Sequence, residues 1–371
     1  MTTEQFTSDR RIILTLDAGG TNLIFSAMRG KKEIVTPIQK PAHSDVLDRC
    51  LDTVIQGFEE VSRKLPEKAA AISFAFPGPA DYKGGIIGDL PNFTAFTGGV
   101  PLGPMLEDHF DVPVYINNDG NLFAYGEALA GYLPWLNGQL KQAGSSKQFQ
   151  NLVGFTLGTG FGSGIVLGNQ MILGHSTGGA EIHNTLNAFD PNWNAEESVS
   201  TRAIQRVYAS EAGIPFSSDL MPRDIYDIAR GSADGLKEAA MESFIQFGRS
   251  LGNSIANTLS LFDGIVVLGG GVTAAWDLFA PVMFEEIDRH YSDHKGVSSP
   301  RLSYRVYNLE NQSLFGEFAG GRGKELVVPG SGRKVTYDAF PRTGVGLSRL
   351  GASKAIAIGA YTFALQQLDA V

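Results

Sequence analysis

The sequence predicts an α/β protein made of two similar halves. Up to about residue 118, β-rich runs and amphipathic stretches follow one another in the order β-β-β-α-β-α-β. The run LTLDAGG at residues 14–20 has a counterpart in FTLGTGF at residues 155–161. In both, a strand that ends in Thr-Leu meets a turn rich in glycine, and a second apolar strand follows. With 371 residues the chain is long enough for about two domains, so we predict an internal duplication.

The first half opens with a predicted antiparallel meander of three short strands, because β-rich runs alternate there with turn residues. A helix follows, since apolar residues recur on one helical face from Val46 to Val61, and Pro66 is expected to end it. Two buried strands joined by a helix come next, and then one further helix. The predicted ranges are strands at 11–16, 23–28, 33–38, 70–76 and 112–119, and helices at 103–110 and 122–133.

The second half is predicted to repeat this order. Its predicted elements are a strand pair within 151–174, helices near 200–212 and 237–262, a strand at 264–271, a helix from Ala274 and a helix at 353–368. Residues 301–346 break the pattern with the hairpin signal ELVVPGSGRKVTYDAF, and we expect an insertion there. We therefore predict a small domain of residues 1–118 plus about 354–371, and a large domain of residues 119–353 that carries the insertion at about 301–346.

Charge and composition exclude several classes of protein. The net charge is −9 and no sustained basic run occurs, so we expect no binding to nucleic acid or to an anionic membrane. Cys50 is the only cysteine, which rules out an intrachain disulfide framework and a multi-cysteine zinc site. The segment MTTEQFTSDRR lacks an apolar signal region, and no run of about 18 apolar residues occurs. We expect a cytoplasmic protein.

Two glycine turns are the strongest candidates for a binding function. The turn DAGGTN at 17–22 has two interpretations: an ordinary hairpin, or bare backbone N–H groups that bind phosphate while Asp17 holds Mg²⁺ directly or through water. The second turn, GTGFG at 158–162, favours the phosphate interpretation because it occupies the matching place in the repeat. Neither turn is a Walker A loop or a G-x-G-x-x-G turn before a helix, so another phosphate-binding geometry is required.

Polar clusters elsewhere have both a structural and a chemical interpretation. The run YINNDGNLF could be a hairpin with Asp119 capping the next helix, or it could place Asp119 to accept a proton from a substrate hydroxyl. His183, close to Glu181, could be structural or catalytic. Glu196 opens a helical stretch and could simply complement its dipole. Asn92 follows a rigid Pro-Gly loop that turn chemistry explains equally well.

Together, these motifs resemble the ROK family of sugar kinases and sugar-responsive repressors. The ordered set is D-x-G-G-T-x, P-G-P-x-D, P-N-F, N-D-x-N and G-T-G-x-G-x-G. The resemblance covers nearly the whole chain, except the residues before 11 and the segment at about 301–346. It implies two RNase H-like domains of the actin/hexokinase type, with mixed sheets around a central cleft. It also implies phosphorylation of a hexose or hexosamine with ATP and Mg²⁺ as cofactors.

The resemblance assigns roles to the matched positions. Asp119 corresponds to the catalytic base of the family. The sugar-binding positions are Asn92, Asn118, Glu181, His183 and Glu196. The nucleotide-binding positions are Asp17, Gly19, Gly20 and Thr21, then Gly158, Thr159, Gly160 and Gly162, and finally Gly269, Gly270 and Gly271 in the adenosine motif.

The sequence departs from the family pattern at one place. The cysteine-rich zinc element is absent, and AFDPNWN stands at residues 188–194 instead. His183 follows Glu181 by two residues, whereas the family has three. We therefore predict no zinc site, and we expect packing of Phe189 and Trp193 to hold this loop.

Two other functions compete with that of a kinase. A repressor would carry a helix-turn-helix before the domain, but only ten residues precede the first predicted strand. A non-catalytic sugar-binding protein is disfavoured because Asp119 and both glycine turns are intact. We expect a free sugar and not a sugar phosphate as the acceptor, because the matched motifs contain no arginine and their carboxylates would repel a phosphate group. These carboxylates belong to Asp119, Glu181 and Glu196. The resemblance alone implies the 6-hydroxyl as acceptor and suggests a homodimer.

Overall fold

The computed structural model describes residues 3–88, 90, 93–321 and 323–370. Asn92, one of the predicted sugar-binding residues, lies outside these ranges. Within them, no helix is both long enough and apolar enough to cross a membrane.

The first half contains the first two strands of the predicted meander and the strands and helices that follow it. The third strand, predicted at 33–38, is instead two short strands, Lys32–Glu33 and Ile38–Pro41, which both pair with the second strand. The helix with the apolar face ends at Ser62, before Pro66, and α4 begins at Asp119, earlier than predicted. The elements are α1 (Thr3–Ser8), β1 (Ile13–Ala18), β2 (Asn22–Arg29), β3 (Lys32–Glu33), β4 (Ile38–Pro41), α2 (Leu47–Ser62), β5 (Ala71–Ala75), β6 (Ala80–Asp81), β7 (Ile86–Ile87), α3 (Leu102–Phe110), β8 (Val114–Asn117), α4 (Asp119–Leu129) and α5 (Tyr132–Gln142).

The single helix predicted at 122–133 is two helices, α4 and α5. The break follows from Glu127, whose buried carboxylate accepts a 2.7 Å hydrogen bond from the backbone N–H of Tyr132. That N–H would otherwise continue the helical ladder, so the side-chain acceptor sets the start of the next helix.

The second half has the predicted long helices and two helices that the sequence reading missed, α7 and α10. The elements are β9 (Leu152–Leu157), β10 (Phe161–Leu167), β11 (Gln170–Met171), α6 (Thr201–Ala212), α7 (Pro222–Arg230), α8 (Lys237–Leu261), β12 (Ile265–Gly269), α9 (Trp276–Ile287), β13 (His290–Ser292), β14 (Ser298–Pro300), β15 (Arg305–Asn308), α10 (Gln312–Gly320), β16 (Gly323–Val327), β17 (Lys334–Asp338), β18 (Arg342–Leu347) and α11 (Ala352–Asp369). Short 3₁₀ turns lie at Ile182–Asn184, Ala195–Glu197 and Gly271–Ala275.

Two six-stranded sheets repeat one topology. The first has the order β3-β2-β1-β5-β8, with β4 paired to β2; β1 is antiparallel to β2 and parallel to β5, which is parallel to β8. The second has the order β11-β10-β9-β12-β18-β15, in which β9, β12, β18 and β15 run parallel. The matching orders support the duplication predicted from the two glycine turns.

The expected insertion at about 301–346 needs correction. Only the hairpin β16–β17 stands apart from the main sheet, whereas β15 and β18, at the two ends of this segment, are sheet strands. The strand β18 was not predicted from its sequence RTGVGL, because arginine is rarely buried and so does not indicate a buried strand. Arg342 is 4% exposed, and its guanidinium donates to Phe318 O and pairs with Asp338.

Contacts divide the chain into two compact units. Unit 1 consists of Met1–Pro134, Ser163–Ala180 and Arg349–Val371, and unit 2 consists of Trp135–Gly162 and Glu181–Ser348. This division differs from the predicted boundary at 118, because α4 packs on α11 within unit 1. In the same unit, α2 covers the first sheet with the apolar face that the spacing predicted, and Phe25, Phe58 and Phe74 form its aromatic centre.

Candidate active site

The first glycine turn joins β1 to β2 in unit 1. The N–H of Gly19 donates to Asn22 O at 3.0 Å, and the Ser44 hydroxyl donates to Gly20 O at 2.9 Å. Asp17 and Thr21 are both exposed beside this turn. Hydrogen bonds thus fix the backbone of the turn, while the side chains of Asp17 and Thr21 stay exposed to solvent.

Asp17 has the chemistry of a ligand for a hard cation. Within the described ranges its carboxylate makes no hydrogen bond or ion pair to protein. The surrounding protein raises the pKa of Asp17, because it replaces part of the water that would solvate the charged form. Carboxylate oxygen is a preferred ligand of Mg²⁺, so this residue fits the ion that the sequence implies.

The N-terminus of α4 is built from three asparagines around Asp119. The Asn118 Oδ1 caps the helix by accepting from the N–H of Asn121 at 2.7 Å. The buried Asn117 Oδ1 accepts from the N–H of Asn118 at 2.9 Å and from Asn121 Nδ2 at 3.0 Å. Asn118 is therefore the cap, which the sequence reading offered as the structural alternative for Asp119. Asn117 is a supporting residue that the sequence reading did not single out.

Asp119 is exposed at the first position of α4. Its Oδ1 accepts a 2.8 Å hydrogen bond from the N–H of Gly120. A Cβ on Gly120 would lie 2.5 Å from Ser163 O, so only glycine allows this close approach of backbone to backbone. The helix start that carries Asp119 is consequently held in place by main-chain contact.

Sheet register brings the first glycine turn and the start of α4 to the same edge of the first sheet. Asp17 is paired with Ala75 across β1 and β5, and Ala75 is paired with Asn117 across β5 and β8. Three parallel strands thus end in one row, and two strand spacings amount to about 10 Å. Asp17 and the residues that follow Asn117 lie at the carboxyl edge of one sheet, where α/β proteins commonly bind ligands.

The second glycine turn, in unit 2, is held by two anchors. The N–H of Thr201 donates to Gly158 O at 2.8 Å, and the N–H of Phe161 donates to Glu196 Oε2 at 3.0 Å. Thr159 is exposed at the tip of the turn. One oxygen of Glu196, which was predicted only as a sugar contact, is therefore committed to the turn.

The triple glycine that follows β12 lies against the same turn. Gly269 is paired with Thr156 across β12 and β9. Gly270 has a φ of +95°, and a Cβ there would lie 2.3 Å from Leu157 O. The structure therefore brings together, within unit 2, the two glycine motifs that the sequence separates by about a hundred residues, 158–162 and 269–271.

Glu181 and His183 form an ion pair in unit 2. The distance from Glu181 Oε2 to His183 Nδ1 is 2.9 Å, and each side chain is about one third exposed, at 33% and 32%. The hydrogen bond from Glu181 raises the pKa of His183, although partial burial opposes the shift. The Glu181 carboxylate therefore favours the protonated form of the His183 ring.

The expected packing of Phe189 and Trp193 was not found. Phe189 is 51% exposed and Trp193 is 39% exposed, and the Trp193 ring instead faces the Arg206 guanidinium at 4.3 Å. Hydrogen bonds of Asn187 hold this loop. The sequence pattern could not predict this role, because it depends on which groups the fold places next to Asn187. Among the described residues no group of three or more His, Cys, Asp or Glu could hold a metal ion.

Comparison with known proteins identifies the family. The ROK family signature matches residues 13–319. The crystal structure of glucokinase from Parabacteroides distasonis is 47% identical with a TM-score of 0.88, and the match covers 97% of this chain and 99% of that one. Glucokinase from Thermotoga maritima is 26% identical over 296 residues, which is 74% of this chain and 87% of that protein. The DNA-binding transcriptional repressor Mlc of Escherichia coli strain K12 is 24% identical over 300 residues, 76% of this chain and 70% of the repressor. The resemblance read from the motifs is confirmed, and the chain belongs to the ROK family of actin/hexokinase-like α/β proteins.

Proposed function

We propose that this protein transfers the γ-phosphoryl group of ATP to the 6-hydroxyl of a free hexose or N-acetylhexosamine, with Asp119 as the general base. The observation that carries the proposal is the row Asp17–Ala75–Asn117 in the first sheet. It sets the end of the first glycine turn and the start of α4 at one sheet edge. The similarity to two glucokinases supports a sugar as the acceptor.

In this proposal the phosphate groups of ATP are bound by backbone N–H groups and, through Mg²⁺, by one carboxylate, that of Asp17. Phosphoryl transfer depends on positioning and on neutralising charge, and backbone N–H groups in glycine turns provide both. Gly19, Gly20 and Thr21 contribute one turn, and the turn at 158–162 contributes the other. Asp17 would hold Mg²⁺, which supplies charge neutralisation on the phosphate oxygens when it is bound.

Asp119 takes the proton from the attacking hydroxyl as that oxygen bonds to phosphorus. Asp119 lies in the first turn of α4, so its carboxylate is close to the positive end of the helix dipole. The Asn117–Asn118–Asn121 network fixes the backbone on either side of Asp119, so the base enters the reaction already oriented.

The sugar side is assigned to Asn92, Asn118, Glu181, His183 and Glu196. Amides and carboxylates match the hydroxyl groups of a neutral sugar, because hydroxyls both donate and accept. Glu181 pairs with His183, and Glu196 lies 3.8 Å from Arg202, so the repulsion of a sugar phosphate would rest mainly on Asp119. On this ground we propose a free sugar as the substrate.

A non-catalytic sugar-binding or sugar-responsive regulatory protein is the second candidate. The observation in its favour is the similarity to the repressor Mlc over 76% of this chain. Both candidates bind a sugar, and only the kinase consumes ATP. ATP turnover therefore separates them.

The test measures ADP formation from Mg·ATP with free hexoses, N-acetylhexosamines and sugar phosphates. Asp119→Asn is expected to lower kcat by a factor of about 10² to 10⁴, because the amide cannot accept the proton. Asp48→Asn is the matched control, since Asp48 is also an exposed aspartate in the first turn of a helix, α2. It should behave like the wild type.

Turnover with a free sugar that is lost in Asp119→Asn and kept in Asp48→Asn would support the proposal. Saturable sugar binding without ADP formation would support the regulatory candidate. A sugar phosphate as the better acceptor would contradict the inference drawn from the carboxylates.

A further inference from the structure

We propose that the buried amide of Asn187 does the work of a structural metal, holding the segment 181–198 in the shape that the sugar requires. Asn187 is thus a positioning residue, and the inference rests on the function proposed above. It starts from the loop at 188–194, where the family resemblance implies a zinc element and this chain has AFDPNWN.

The residues in this loop do not fit a zinc site. Asp190 is the one side chain between 188 and 194 with a metal-binding group of the usual kind. The single cysteine, Cys50, is buried in α2 of unit 1, whereas this loop is in unit 2. A different device must close the loop.

Asn187 uses its whole hydrogen-bonding capacity inside the segment. It is 4% exposed, and its Nδ2 donates to Asn194 O at 3.0 Å and to Ser198 Oγ at 2.7 Å. Its Oδ1 accepts from the N–H of Phe189 at 3.0 Å and of Asp190 at 3.2 Å. Two donors and two acceptors are all that a side-chain amide has. The buried Asn187 side chain thus makes four hydrogen bonds, the same number as the bonds that a tetrahedral metal makes to its ligands.

Backbone hydrogen bonds show what these links hold together. The N–H of Ala195 donates to Thr185 O at 2.8 Å, and the N–H of Asn187 donates to Trp193 O at 3.0 Å. The two arms of the segment therefore lie side by side, and the Asn187 amide joins them.

The two arms carry different parts of the proposed sugar site. One arm begins with the Glu181–His183 pair, and the other contains Glu196, which also accepts from the N–H of Phe161 in the second glycine turn. The spacing between these groups depends on how tightly the arms are joined. Loss of Asn187 should therefore weaken sugar binding more than ATP binding, because Thr201, which anchors Gly158, lies outside the segment, whereas Glu196, the other anchor of that turn, lies inside it.

The experiment uses the full-length protein as wild type, Asn187→Ala, Asn187→Asp and the control Asn192→Ala. Asn192 is an exposed residue of the same loop, and among the described residues its side chain donates to Asp190 alone. Hydrogen exchange of peptides covering 181–198 is followed by mass spectrometry, with peptides from α8 as the internal reference. KM values are measured for the sugar and for ATP with Mg²⁺ in excess. In the sugar series the wild type is also measured after treatment with EDTA, which is removed before Mg²⁺ is added.

We expect Asn187→Ala to speed exchange in 185–198 and to raise the sugar KM, each by about tenfold or more, because several buried hydrogen bonds are lost. The KM for ATP should rise less than the sugar KM, and the exchange of α8 should not change. Asn187→Asp should have a smaller effect, since it keeps the acceptor bonds to Phe189 and Asp190. The Asn192→Ala protein and the EDTA-treated wild type should match the untreated wild type.

Wild-type exchange in Asn187→Ala would overturn the proposal, and so would EDTA-induced loosening of the wild-type loop. A loosened loop with an unchanged sugar KM would refute the positioning role. Hydrogen exchange needs no substrate, so a wild type without ATP turnover would count against the proposed kinase alone. The effect of Asn187 on the sugar would then be read from calorimetric binding.

Discussion

The Glu181–His183 pair makes one part of the candidate site sensitive to pH. The hydrogen bond from Glu181 raises the pKa of His183 from its ordinary 6.5, so the pair favours the imidazolium form. A raised folded-state pKa means that the stabilisation is fully present below 6.5 and is lost as pH rises through the raised value. Water limits its size, because both side chains are about one third exposed.

Replacing Glu181 with glutamine should lower the pKa of His183, because a neutral amide gives no charge to favour imidazolium. The measurement is an NMR titration of the histidine ring protons, with His183→Gln used to assign the resonance. The thermal unfolding midpoint of Glu181→Gln should be lower than that of the wild type at mildly acidic pH and equal to it at alkaline pH. Glu211→Gln, at an exposed position of α6, is the control. An unchanged His183 titration in Glu181→Gln would contradict the assignment.

Single residues differ in how far a sequence can reveal them. Asp17, Asp119 and the glycine turns could be recognised because turn chemistry and order along the chain are local properties. The double role of Glu196 could not, because its partner Phe161 is 35 residues away. Asn187 gave no signal, since an asparagine in a loop is ordinary until its burial is known.

The turn after β12 depends on one glycine. Alanine at position 270 would need a φ of +95° and would bring its Cβ to 2.3 Å from Leu157 O. Because the opposing atom is backbone, the clash cannot be relieved by a side-chain rotation. We expect Gly270→Ala to lose about 1–3 kcal/mol or more of stability and to weaken ATP binding.

Gly271→Ala is the matched control for the stability change. A Cβ there meets nothing within 4 Å, so the unfolding midpoint should stay near that of the wild type. Urea unfolding followed by circular dichroism compares the two, and a nucleotide titration follows binding. Equal midpoints for the two variants would show that the Leu157 contact is not a constraint.

Elements were predicted well where one periodicity dominates. The helices α2, α6 and α8 have apolar residues on one face, and β5 and β12 are short apolar runs. The strand β18 was hidden because Arg342 is buried by partners that lie elsewhere in the chain. The break between α4 and α5 depends on the acceptor Glu127, which no periodicity reports.

The return of the chain end to unit 1 depends on two helices in backbone contact. A Cβ on Gly359 of α11 would lie 1.9 Å from Leu122 O of α4, and one on Gly126 of α4 would lie 2.0 Å from Ala355 O of α11. Glycine at both positions lets the helix axes approach closely. The first sheet and the start of α4 are held by this arrangement, because α11 also packs on β1 and β5.

We expect Gly359→Ala to lower the unfolding midpoint by the equivalent of about 1–3 kcal/mol or more, as overpacking does in a tight core. Gly138→Ala in α5 is the control, because a Cβ there meets nothing within 4 Å. It should leave stability unchanged or raise it by up to about 1 kcal/mol, since alanine favours a helix. Differential scanning calorimetry of the full chain measures the unfolding midpoints of the two variants and of the wild type. A Gly359→Ala midpoint at or above that of the wild type would refute the close-packing explanation.

The sequence by itself determined the family, the duplication, both glycine turns and the lack of a cysteine zinc element. These properties depend on residue types in order along the chain, and turn residues carry their backbone preference wherever they stand. Only the tertiary structure decided that β15 and β18 join the second sheet, that Gly270 lies against Leu157 and that Asn187 closes the segment 181–198. Each of these depends on burial and on a partner that the fold brings near. Burial turns an ordinary loop asparagine into a four-bonded centre, because a buried amide must satisfy every donor and acceptor that it has.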